Sequence, residues 1–61
     1  MGVTQEQFRV EELNSFMEWH HHAKAESLGD ASKAAMEISQ KIGRRTRVIS
    51  VEGKVYDHFD P

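Results

Sequence analysis

Between Phe8 and Ala23 the apolar positions recur at helical spacing. At 100° per residue, Phe8, Leu13, Phe16, Met17, Trp19, His20 and Ala23 fall within one half of a wheel, with Val10 and Leu28 at its edge. Thr4 followed by Gln7 has the form of a capping box just ahead of Phe8, and Val3 stands where it can staple the helix start. No proline or glycine interrupts the run before Gly29. The pattern predicts a first helix over residues 4–28, a rod on the order of 35 Å long at about 1.5 Å per residue.

Gly29 then reads as the close of that helix and Asp30 as the cap of a second. Ala31, Ala34, Ala35, Ile38 and Ile42 form a narrow stripe, so a short helix is expected over residues 31–42, ended by Gly43. From Arg45 the period changes. Val48, Ile49 and Val51 precede Glu52-Gly53-Lys54, and Val55, Tyr56 and Phe59 follow, which predicts a β-hairpin over residues 46–59. A two-residue turn pairs Ile49 with Tyr56 and Val48 with Asp57, whereas a three-residue turn shifts the register by one. The expected fold is α+β: a two-helix hairpin followed by an antiparallel β-hairpin, in one domain over residues 1–61.

That arrangement leaves a deficit. A helix of about 12 residues covers only half of a rod twice its length, and an isolated hairpin is marginal in water. Self-association is therefore expected, with Phe8, Val10, Leu13, Phe16, Met17 and His20 of the first helix as the interface of a homodimer.

Composition narrows the class. The 61 residues contain no cysteine, so disulfides and thiolate metal sites are excluded. No signal-like segment or bilayer-length apolar run is present, which points to a cytoplasmic protein. The net charge of −2 is unevenly spread: residues 1–30 hold six acids and two bases, residues 31–61 four acids and six bases. Lys41, Arg44, Arg45 and Arg47 make the one basic cluster, and with Met36 and Tyr56 they form the candidate surface for a protein partner. The same arginines can contact phosphate. Nucleic acid is the less favoured partner, because Glu37 and Glu52 lie nearby and the second helix offers few outward bases.

Three adjacent histidines, His20 to His22, invite a metal or a proton. On a helix, neighbours diverge by about 100°, so only Glu18 with His22 or His22 with Glu26 has the spacing of a ligand pair. These are weak candidates, and no metal or other cofactor is expected. Histidines at an interface would instead make association pH-dependent. No nucleophile elbow, phosphate loop or paired-carboxylate scaffold is present, so catalysis is not expected. Small, cysteine-free, mildly acidic chains of helices and a hairpin look like the accessory proteins of phages and other mobile elements. The resemblance is one of class, covers no motif, and implies a non-enzymatic inhibitor or adaptor. The competing expectation is a small nucleic-acid-binding transcriptional regulator using Arg44, Arg45 and Arg47.

Overall fold

Phe8-Arg9-Val10-Glu11 alternates apolar with charged, and that period of two builds a strand with one oily face. The computed structural model describes residues 7–61, and in it the chain runs β1 (Phe8–Leu13), β2 (Trp19–Ala25), α1 (Leu28–Ile42), β3 (Thr46–Ser50) and β4 (Val55–Phe59). The strands form one antiparallel sheet in the order β2-β1-β3-β4. Since β2 and β3 both run against β1, they are parallel to each other, and α1 carries the chain from one to the other across β1.

The two-helix hairpin is thus not the fold. One helix packs on a four-stranded sheet, and the stretch expected as a long first helix is a hairpin of two strands. The wheel misled because its apolar stripe is broad. Tertiary pairing decides between the two periods: β1 gains β2 on one side and β3 on the other. The capping box at Thr4 and the staple at Val3 lie outside the described residues. β3 and β4 occupy the stretch expected as a separate hairpin, but as half of this sheet. Both candidate registers occur in it, Val48 pairing with Asp57 and Ile49 with Val55 across a bulge.

The helix starts earlier than expected, because Ser27 and not Asp30 is its cap. The Ser27 Oγ accepts from the Asp30 amide at 3.1 Å, and Gly29 lies inside the first turn. At the other end Gly43 takes the left-handed conformation, and its amide donates to the Ser39 carbonyl at 2.9 Å. Ala31, Ala35 and Ser39 face the sheet fully buried, and small side chains there let the helix approach closely. They meet Phe8, Val10 and Val48, with Ala23, Ala25, Ala34, Ile38 and Phe59 around them. Each buried valine or phenylalanine in such a core contributes roughly 1.5–3 kcal/mol. The polar members are satisfied: Thr46 Oγ1 donates to the Ala35 carbonyl at 2.8 Å, and Ser39 Oγ to the Arg44 carbonyl at 2.8 Å.

The residues expected at a dimer interface do not share one helix face. Phe8 and Val10 are buried in the chain's own core, Leu13 is half-buried, and His20 is exposed on β2. Phe16 and Met17 stand 81% and 75% exposed at the β1–β2 turn. Among the described residues no helix precedes α1.

The two hairpin turns share one hydrogen-bond pattern. In the first, the Asn14 amide donates to the Glu18 carbonyl (2.9 Å) and the Met17 amide to the Asn14 carbonyl (3.0 Å). Asn14 Oδ1 accepts from the amides of Phe16 (2.9 Å) and Glu18 (3.0 Å). In the second, the Ser50 amide donates to the Lys54 carbonyl (2.9 Å) and the Gly53 amide to the Ser50 carbonyl (3.0 Å). Ser50 Oγ accepts from Glu52 (3.3 Å) and Lys54 (3.2 Å). The fourth position has positive φ in both, 94° at Gly53 and 64° at Met17. Glycine meets that demand freely; methionine does so under strain of roughly 1–2 kcal/mol.

Met17→Gly should therefore stabilise the fold by about 0.5–1 kcal/mol, the relieved strain less the extra backbone entropy of glycine. Gly53→Ala should destabilise it by at least about 1 kcal/mol. Urea unfolding monitored by circular dichroism measures both, and a destabilised Met17→Gly variant would show that the methionine packs where the turn needs it.

Candidate functional site

One helix can cover one face of a sheet, and the other face must then meet water. Pairing and side-chain contacts place Arg9, Glu11, Trp19, His21, Lys24, Arg47, Ile49 and His58 on that second face. The alternation that turns Phe8, Val10, Thr46 and Val48 inward turns these outward. Three of the chain's eight cations and, among the described residues, one of its ten acids lie there. The face carries +2 while the remainder of the chain carries −4, which together make the net −2.

Arg47 is at its centre. Its Nε donates to Glu11 Oε1 at 2.8 Å, its Nη2 lies 2.8 Å from the same oxygen, and its guanidinium carbon lies 4.2 Å from the centre of the Trp19 ring. Glu11 is only 9% exposed, so the carboxylate is held in place by its pairing and in turn aligns the guanidinium. Beside this stack opens a cavity of about 340 Å³ lined by Trp19, Arg45, Arg47, His58 and Asp60. Arg45 Nε reaches Asp60 Oδ1 at 2.6 Å across its rim, in an exposed pair that solvent screens. Further along the face, the Arg9 Nε is shut off from solvent and has no acceptor among the described residues. The cavity lies at the low end of the volumes that hold small ligands, and its lining combines two guanidinium groups, an indole ring, an imidazole and one carboxylate.

The sequence-based candidates are scattered by the fold. Arg45 and Arg47 share the cavity; Lys41 and Arg44 are exposed at the carboxyl end of α1. Met36 projects from α1 in the other layer and is exposed. Tyr56 is on the outer strand β4, with its ring edge-on to Phe8 at 5.4 Å. The histidines lie on a strand and diverge to its two faces. Glu18 and His22, proposed as a helical ligand pair, are about 13 Å apart along an extended chain, and the Nδ1 of His22 instead lies 3.7 Å from Glu12. Among the described residues no three His, Asp or Glu side chains are grouped to hold a metal ion. No helix among them is long and apolar enough to cross a membrane.

Sequence reasoning missed Arg9, Glu11 and Lys24, and Trp19 as a ring for Arg47. A period-two reading of Phe8-Arg9-Val10-Glu11 would have found the first two. No family model, curated protein or solved structure matches the chain. The inhibitor role and the phage-accessory class accordingly have no support, since the helix-helix-hairpin from which that likeness was drawn is not the fold.

Glu11→Gln preserves the shape of the acid and removes its charge, leaving Arg47 half-buried without a counter-ion. Stability should fall by about 1–3 kcal/mol, with a shift in the emission of Trp19, the single tryptophan. Urea unfolding followed at that tryptophan measures both; no loss of stability would mean that solvent already carries the arginine's charge.

Proposed function

We propose that the protein is a non-enzymatic binding module that receives an anionic partner on the sheet face opposite α1. The observation that supports this reading best is the Arg47 guanidinium fixed between Glu11 and Trp19 beside an open cavity, on a face of +2 in a chain of −2. An arginine already ordered by its neighbours loses little freedom when a ligand arrives. Arg9 and Lys24 extend the positive field along the strands, while the remainder of the chain carries a net −4.

A second reading follows from the sheet edges. Among the described residues β2 and β4 each pair on one side only, so a second copy can add its own edge strand there. Sedimentation at micromolar concentration tests this, and a single monomeric species would remove it.

For the anionic partner, titration with inorganic polyphosphate at low ionic strength should change Trp19 emission saturably, and added salt should reverse the change. Emission that stays flat under those conditions rules out the sheet face as an anion site.

A further inference from the structure

We infer that the anionic partner is single-stranded nucleic acid, with bases against Trp19, Arg47 and Phe16 and phosphates against Arg44 and Arg45. Resting on the anionic-partner reading of the sheet face, this goes further on three grounds.

The first is that cations and ring systems are interleaved at one end of the sheet. Bases stack on aromatic rings and on guanidinium planes, whereas an acidic peptide would use the cations alone. The Trp19 ring and the Arg47 plane already lie against each other, and the adjoining cavity is open and roomy enough to admit a flat ring.

The second is the β1–β2 turn. Leu13 donates to the Arg45 carbonyl at 2.8 Å, so the turn springs from the same end of the sheet as Arg45 and the carboxyl end of α1. Four hydrogen bonds hold it, two of them to the Asn14 side chain, and it presents Phe16 and Met17 at 81% and 75% exposure. The companion turn has the same bonds with Gly53 in place of Met17. The geometry therefore does not ask for methionine; a rigid turn is spending strain to show two large apolar side chains. Phenylalanine and methionine are among the residues that wedge against bases.

The third is shape. A duplex is read by an element that enters a groove, and the outward side of α1 offers Asp30, Lys33, Met36, Glu37, Gln40 and Lys41, whose two cations are matched by two acids. An open sheet with flanking cations suits an extended strand instead.

The test uses the full chain with Trp19 as reporter and a short oligothymidylate as probe. Emission should be quenched saturably, with a log–log salt slope of roughly −2 to −3 for three or four phosphates neutralised. The same oligonucleotide annealed to its complement, and polyglutamate, should bind at least about tenfold more weakly. Phe16→Ala and Arg45→Gln change exposed side chains, so circular dichroism should be unaltered, and each should weaken oligothymidylate binding by roughly fivefold or more.

If polyphosphate binds as tightly as the oligonucleotide and Phe16→Ala changes nothing, the nucleic-acid inference falls while the anionic-partner reading stands. If neither polyanion alters Trp19, both fall. Equal affinity for the duplex overturns the single-strand assignment. Phe16→Ala that abolishes binding to anionic lipid vesicles but not to the oligonucleotide assigns the turn to a membrane surface and overturns its role here.

Discussion

The fold depends on one geometric constraint, that a single 15-residue helix has only enough surface to shelter one side of a four-stranded sheet. Alternation along each strand sorts the side chains accordingly. Phe8, Val10 and Val48 go under the helix, where Ala31 and Ala35 allow close contact, and their charged neighbours go to the far side. Among the described residues no second layer covers the far face, which instead carries polar side chains that pack against one another. Arg47 shows how this works: its charge is met by Glu11 and its flat side by Trp19, which keeps a cation at the middle of a sheet without an exposed oily patch.

The proposed binding and the solvation of the far face rest on the same residues. A sheet face left uncovered by the helix acquires a definite sign when one acid sits among three cations. The ring of Trp19 adds directionality that charge alone lacks. Because these groups sit on paired strands and not on a loose loop, their spacing follows from the sheet register, and Glu11 faces Arg47 as a cross-strand pair.

The sequence disclosed some elements well and one badly. The alanine stripe from Ala31 and the glycine stop at Gly43 marked α1, and the β-branched run from Val48 marked β3. The β1–β2 hairpin was hidden because its turn carries neither glycine nor proline. Asn14 and Ser15 are turn formers, but they sit in a run that also fits a helical period, and the position that normally advertises itself as glycine holds Met17. Without that mark, Phe8 to Leu28 passed for one amphipathic helix. The site followed the fold: Arg45 and Arg47 were visible as a basic cluster, but their companions Glu11 and Trp19 lie on a different part of the chain and become neighbours only through pairing of β1 with β2 and β3.

The strand order also governs when the parts come together. β1 is central, flanked on one side by β2, its neighbour in sequence, and on the other by β3, whose Ser50 pairs with Phe8. As the chain leaves the ribosome, the first hairpin can close at once, but Phe8 and Val10 stay open to water until the helix and the third strand have been synthesised. The last strands to emerge thus complete the sheet begun by the first, and a chain cut short before Thr46 would keep half a sheet with its adhesive side uncovered.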